Sequence, residues 1–229
     1  MWRFPNRTEA GRELASMLHR FRNRNDVVVL ALPRGGVPVA FEVARALKAP
    51  LDVLTVRKIG APQNEEYALG AIATGGLTAI DWSLAERLDV SDAVLGALIA
   101  RERDELERRE QLYRGDRGPL ALAGKTVILV DDGLATGATM RAAISALRTL
   151  KPARIAVAVP VASHEAAMAM RHEADAFLCA FLPSELYCVG QWYQDFSQTT
   201  DAELLELLRR AQEWTAHRTA EATTGAWYA

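Results

Sequence analysis

Five short apolar runs constrain this chain more than any other feature: Val27–Leu32, Leu51–Val56, Thr126–Val130, Ile155–Val161 and Ala176–Phe181. Each is too short for an ordinary helix, and a continuous apolar run such as Val27–Leu32 is the pattern of a strand buried on both sides. Helical spacing separates them. Asn6–Arg20 opens with Asn6 and Glu9 at capping-box spacing, and Val37–Leu47, Thr139–Leu150 and Glu165–His172 follow later runs. Leu84–Tyr113 predicts one long charged helix whose acid–base alternation is that of a solvated face, with Arg101, Glu105 and Arg109 as i,i+4 partners. Ala68–Thr74 and Leu77–Ile80 predict two strands joined at Gly75-Gly76, and Asp201–Thr215 a C-terminal amphipathic helix. Such alternation predicts an α/β chain, a parallel twisted sheet flanked by helices on both faces. Ligands of such sheets sit at the carboxyl ends of the strands. The 229 residues suit one domain, taken as residues 1–216, with 217–229 as a loose tail.

Composition removes several function classes. A formal net charge of -2 gives no basic surface for nucleic acid. No stretch approaches the ~20 apolar residues of a membrane helix, and the polar start Met1-Trp2-Arg3-Phe4 lacks a signal core, so a cytoplasmic chain is expected. Cys179 and Cys188 fit no zinc spacing, and His19, His164, His172 and His217 are scattered. A G-x-x-x-x-G-K-[ST] phosphate loop is absent.

Chemistry concentrates in Val127-Ile128-Leu129-Val130-Asp131-Asp132-Gly133-Leu134-Ala135-Thr136-Gly137-Ala138-Thr139. A buried strand leads to two adjacent carboxylates, then to a loop of small residues that opens a helix. Such a loop lets several backbone N–H groups converge on an anion, and Thr136 and Thr139 add hydroxyl donors. An ionised carboxylate only accepts hydrogen bonds, so Asp131 and Asp132 suit vicinal hydroxyls. Phosphate donors beside hydroxyl acceptors describe a sugar-phosphate site. A receiver domain also places two acids after an apolar strand, but it needs a phosphate-accepting aspartate at the end of a later strand, and Ala176–Ala180 ends without one.

This segment resembles the signature of type I phosphoribosyltransferases. The resemblance implies their fold, with a small variable hood drawn from residues 1–26, 183–200 or both. It implies that Asp131 and Asp132 meet the ribose 2′ and 3′ hydroxyls of phosphoribosyl pyrophosphate (PRPP), and that Ala135, Thr136, Gly137, Ala138 and Thr139 hold the 5′-phosphate. Gly133 departs from the family's usual aliphatic residue and reads as added flexibility after the acidic pair.

Two further strand-end loops join the pattern. In Leu32-Pro33-Arg34-Gly35-Gly36, paired glycines permit close approach of a ligand and Arg34 can grip phosphate oxygens. The family's corresponding loop holds pyrophosphate, which assigns it to Arg34, Gly35 and Gly36. That loop often contains a cis peptide, for which Leu32–Pro33 is the least costly place. Arg57-Lys58-Ile59-Gly60-Ala61-Pro62 resembles the family's flexible catalytic loop, assigning Arg57 and Lys58 to pyrophosphate and to charge stabilisation. Glu65 is the candidate to protonate or orient the incoming base, with a solvated loop carboxylate as the alternative.

The reaction so implied is displacement of pyrophosphate from ribose C1 by a nitrogenous acceptor, a pentosyl transfer. Mg²⁺ is expected to travel with PRPP, touching Asp131 and Asp132 only indirectly. Ala135 stands where 6-oxopurine enzymes of the family carry aspartate, which argues against an oxopurine acceptor. Tyr187, Trp192 and Tyr193 are candidates to stack on an acceptor, or else form a small core beneath the last helix. PRPP and a small acceptor are the implied partners, without nucleic acid or membrane, and a homodimer stays open. A PRPP-binding regulator without transfer is the competing reading, and a scaffold without phosphoribosyl ligand a third.

Overall fold

A computed structural model describes residues 2–62, 64–115 and 117–225, with the side chains of 64–67 and 215–225 outside that description. Among the described residues, five of the eight strands form the central sheet: β1 (Val27–Ala31), β2 (Leu51–Val53), β6 (Thr126–Val130), β7 (Arg154–Val161) and β8 (Ala176–Phe181). They are parallel throughout, in the order β2-β1-β6-β7-β8. The period-2 alternation of side chains divides the core between the faces. Val27, Val29, Ala31, Ile128 and Val130 pack with α1 (Arg7–Met17), α2 (Gly36–Leu47) and the C-terminal α7 (Asp201–Gly225). Leu30, Val127, Leu129, Ile155 and Val157 pack with α5 (Ala138–Arg148) and α6 (His164–Glu173). The parallel sheet with helices on both faces is therefore as the alternation predicts.

Local signals explain most boundaries. The Asn6 side chain accepts the Glu9 N–H at 2.9 Å, so the capping spacing is used, though α1 ends at Met17 and a 3₁₀ turn covers His19–Phe21. The helix α7 runs to Gly225, so the backbone of 217–225 is helical where a loose tail is expected. No described helix is long and apolar enough to cross a membrane.

Two expectations fail in the middle of the chain. Arg57–Ala61 is not a loop: β3 (Val56–Ala61) and β4 (Asn64–Ala73) pair antiparallel, and β5 (Leu77–Ile80) completes a second sheet of three strands among the described residues. Ile59 and Ala61 alternate onto one face, and with Leu69 and Ile72, which a register shift in the β3–β4 pairing brings to the same side, they join a separate apolar cluster with Ala85, Leu95 and Leu106. The predicted single helix Leu84–Tyr113 is two, α3 (Trp82–Arg87) and α4 (Asp92–Arg114), each with its own side-chain cap. Asp81 accepts from Leu84 N and Ser91 from Val94 N, and Asp89 lies between them at φ 51°. The solvated-face reading of α4 holds for the Glu105–Arg109 pair, at 2.6 Å. Arg101 pairs with Glu102 instead, and Glu102 and Arg114 are buried.

Strand order locates the site. From β1 the chain goes to β2 on one side, whereas β6, β7 and β8 lie in succession on the other. The order therefore reverses between β1 and β6, where a crevice opens beyond the carboxyl ends. Their ends are stitched by Leu32 N–H donating to Val130 O at 2.9 Å.

Candidate functional site at the carboxyl ends of two strands

The loop after β1 and the acidic pair after β6 are packed face to face. A Cβ on Gly35 would lie 2.0 Å from Asp132 Oδ2, and one on Gly36 would lie 2.9 Å from both Asp131 Cα and Val130 O. Neither glycine has a positive φ, so close approach rather than backbone freedom requires them. The cis peptide of this loop is Pro33–Arg34, not Leu32–Pro33 as the sequence suggests. Gly35→Ala should displace the Asp132 carboxylate and destabilise the chain by about 1–3 kcal/mol, the usual effect of overpacking. Gly96→Ala meets nothing within 4 Å and should stabilise α4 by up to about 1 kcal/mol. Urea melts of the two variants check both signs.

Asp131 and Asp132 are held differently. Asp131 Oδ1 accepts the Asp132 N–H at 2.8 Å, whereas Asp132 Oδ2 accepts from Arg7 Nε at 2.8 Å. The Tyr193 hydroxyl donates to the Asp132 carbonyl at 2.6 Å. Among the described residues, the second oxygen of each carboxylate has no hydrogen bond. Burial, and then the neighbouring Asp132 carboxylate, push the Asp131 carboxyl well above the ordinary carboxylate range. Burial also raises Asp132, but the Arg7 hydrogen bond and charge oppose it.

The small-residue loop follows. Leu134 bridges to Ala162 beside β7, and Ser163 Oγ donates to Ala135 O at 2.7 Å. Gly137, at φ 73°, turns the chain into α5. The first-turn N–H groups of a helix lack intrahelical acceptors, and here they meet a cavity of about 210 Å³. Asp131, Ala135, Thr136, Gly137, Ala138 and Thr139 all line it, so the predicted phosphate residues and one of the two acids share one space. Gly133 is not a flexible link: a Cβ there would lie 2.6 Å from Val189 Cγ1 and 2.9 Å from Val161 Cγ1. The glycine admits Val189, which also lines the cavity.

The cations divide. Strand alternation separates Arg57 from Lys58. Lys58 lines a groove of about 660 Å³ with Thr136, Ala138 and Arg141, and has no ion pair among the described residues. Arg57 instead pairs with buried Glu102 of α4 at 2.8 Å, which corrects the expectation that both cations face the anion site. Arg34 lies 3.6 Å from Asp201 at the start of α7, and Asp201 also accepts from Tyr113 Oη. Glu65 is in β4, and its side chain lies outside the described residues.

The aromatic candidates are also corrected. Trp192 and Tyr193 are 4% and 2% exposed, packed with Phe4 and Val161, so they form core rather than a stacking platform. Tyr187 is 80% exposed and bonds Glu185. Cys179 and Cys188 are unpaired.

Sequence reasoning missed Arg7, Ser163 and Val189. Ser163 precedes a helix, a capping signal that could have placed it beside the loop. Arg7 and Val189 reach the site only through tertiary packing, and no local pattern marks them.

Comparison with known proteins gives the family and the fold. A family model described as phosphoribosyl transferase domain matches residues 3–180. A Mycobacterium tuberculosis protein with the provisional name phosphoribosyl transferase is 40% identical over 208 residues, covering 91% of this chain and 47% of that protein. The chain thus spans about half the length of the curated relatives it matches. A bifunctional protein PyrR of Chloroflexus aurantiacus is 30% identical over 158 residues, 66% of each chain. A crystal structure of a Thermus thermophilus protein shares the fold at TM-score 0.82 and 43% identity, over 90% of this chain and 97% of that one. On the match that runs from residue 3 to residue 180, this chain belongs to the phosphoribosyl transferase domain family.

Proposed function

We propose that the chain binds PRPP at the β1–β6 crevice and transfers its 5-phosphoribosyl group to a nitrogenous acceptor, releasing pyrophosphate. The observation that carries this reading is the shared cavity: Asp131 borders the same space as Thr136 and Thr139, which joins a hydroxyl acceptor to a phosphate cradle. The free oxygens of Asp131 and Asp132 take the ribose hydroxyls, and the α5 N-terminus and its loop take the 5′-phosphate. Gly35 and Gly36 let the pyrophosphate approach the main chain, with Arg34 beside them. Bond breaking from C1 to pyrophosphate and bond making to the acceptor nitrogen need no protein nucleophile. The protein's work is holding, charge stabilisation and exclusion of water.

Mg²⁺ fits this reading as an ion carried on the substrate. The described residues contain no group of three or more His, Cys, Asp or Glu placed to hold a metal. Mg²⁺ commonly keeps waters and phosphate oxygens as its main ligands. Bound to PRPP, it would neutralise charge on the leaving pyrophosphate, with Asp131 and Asp132 touching it only through the sugar.

Lys58, in β3 and without an ion pair among the described residues, is the cation of this scheme, and Arg57 braces α4 against β3. Val189 and the segment 183–197, joined to residues 2–7, supply the hood on the acceptor side. Ala135 in place of aspartate disfavours an oxopurine acceptor. The second reading, PRPP binding without transfer, gains from one observation: the Arg57–Glu102 pair leaves one cation fewer for the pyrophosphate.

Calorimetric titration with PRPP and Mg²⁺ tests the site, and absence of binding removes the proposal. A screen of purine, pyrimidine and other nitrogen acceptors for pyrophosphate release separates the two readings. Release should fall in Lys58→Ala by about 100-fold or more, as for loss of a charge-stabilising group, with stability unchanged. Arg57→Ala should chiefly lower stability, since it strips buried Glu102 of one of its two cations. Silence across the panel in a chain that binds PRPP selects the regulator.

A further inference from the structure

The arginine at position 7 has a role that the three loop motifs do not include. Its guanidinium is fixed at three points. Nε donates to Asp132 Oδ2 at 2.8 Å, Nη1 donates to Ser197 O at 2.7 Å, and the group stacks 3.9 Å from the Phe196 ring centroid. The Arg7 and Asp132 side chains are only 11% and 14% exposed. A Cβ on Gly35 would lie 3.4 Å from Arg7 Nε, so this nitrogen occupies the junction of the glycine loop and the acidic pair.

The segment bearing Arg7 is anchored as well. Phe4 N–H donates to Trp192 O at 2.9 Å, Gln194 N–H to Phe4 O at 2.8 Å and Asp195 N–H to Pro5 O at 3.0 Å. Tyr193 Oη holds the Asp132 carbonyl from the same segment. The backbone leading into Arg7 is thus tied down at Phe4 and Pro5, and this holds the Arg7 side chain in place. That side chain engages one oxygen of Asp132 and leaves the other without a hydrogen bond among the described residues.

We propose that Arg7 is a positioning residue of the ribose subsite, holding the Asp132 carboxylate by Oδ2 so that Oδ1 is presented to a sugar hydroxyl. This inference rests on the PRPP reading above. It makes the segment 2–7, clamped to residues 192–197, part of the sugar site as well as of the acceptor side. Nε and Nη1 bind two different acceptors, a task that suits a planar fork and that a single ammonium does not reproduce.

The test compares ligands with and without ribose. Wild type, Arg7→Ala and Arg7→Lys are titrated with PRPP and, separately, with inorganic pyrophosphate, both with Mg²⁺. Circular dichroism and melting temperature report folding. Arg7→Ala should bind PRPP about 10–100-fold more weakly, the range for one hydrogen bond to a charged group, while pyrophosphate binding is unchanged. Arg7→Lys should fall between the two. In an Asp132→Asn background the Arg7→Ala loss should largely disappear, as for residues that act as one unit. PRPP binding by Arg7→Ala equal to wild type overturns the positioning role alone. An equal loss for both ligands does so too, since it reports general damage. Failure of wild type to bind PRPP removes the sugar site itself, and this inference with it.

Discussion

Replacing both acids, Asp131→Asn/Asp132→Asn, should weaken PRPP binding by about 100-fold or more, since each carboxylate hydrogen bond to a hydroxyl is of the charge-assisted kind worth ~1.5–3 kcal/mol. The single change Asp131→Asn should at the same time stabilise the ligand-free chain at neutral pH. Burial and the adjacent Asp132 hold the Asp131 carboxyl well above its unfolded range. The folded state therefore binds the proton more tightly than the unfolded state does. The penalty is absent below the unfolded pKa, near 3.9, grows as pH rises toward the folded value, and is complete above it. Asparagine keeps an oxygen for the Asp132 N–H and has no proton to lose, so it removes that penalty. Each kcal/mol recovered raises the melting midpoint by about 2–4 °C in a domain of this size, and the gain should shrink toward pH 4. Calorimetric melts across pH, with a PRPP titration at pH 7, check both halves. A lower midpoint at pH 7, or undiminished PRPP binding by the double variant, would show that the pair is structural.

The largest loss of stability is expected from Arg114→Ala. This side chain is 3% exposed and binds Asp52 at 3.1 Å, Glu110 at 3.0 Å and the Gly118 carbonyl at 2.8 Å. Removing one partner of a buried pair leaves uncompensated charge and costs about 3–5 kcal/mol. Arg117, 3.3 Å from Asp52, offsets part of this. The melting midpoint should fall by about 6–20 °C. Asp52 sits on β2, three residues before the Thr55–Thr74 contacts that root the second sheet, so the loss should also reduce hydrogen-exchange protection in β3 and β4. A fall below about 1 kcal/mol would match an exposed pair and contradict the burial.

The sheet and its central site were legible because their signals are local. Doubly buried strands are short apolar runs, and the acidic pair with its small-residue loop is one contiguous stretch from Asp131 to Thr139. The second sheet was not legible in the same way. Arg57-Lys58-Ile59-Gly60-Ala61 carries its apolar alternation in residues so small and so interrupted by charge that loop and strand read alike, and only Leu69, Ile72 and Leu106 across the cluster decide it. Trp192 and Tyr193 were ambiguous for a related reason. Aromatic residues serve stacking and core equally well, and Phe4, nearly two hundred positions away, fixes the outcome. The caps at Asp81 and Ser91 were visible but outweighed by the length of the charged pattern around them.

The clamp between residues 4–7 and 192–197 has a consequence for synthesis. Arg7 leaves the ribosome before its partners Asp132 and Ser197, which lie 125 and 190 positions later. The β1–β6 pairing can form on a nascent chain, since local and completed elements fold first and distant closures wait. The N-terminal segment must stay undocked until residues 192–197 emerge. The acidic pair is thus assembled before Arg7 docks on it, and the pocket is finished only after residue 197 has emerged.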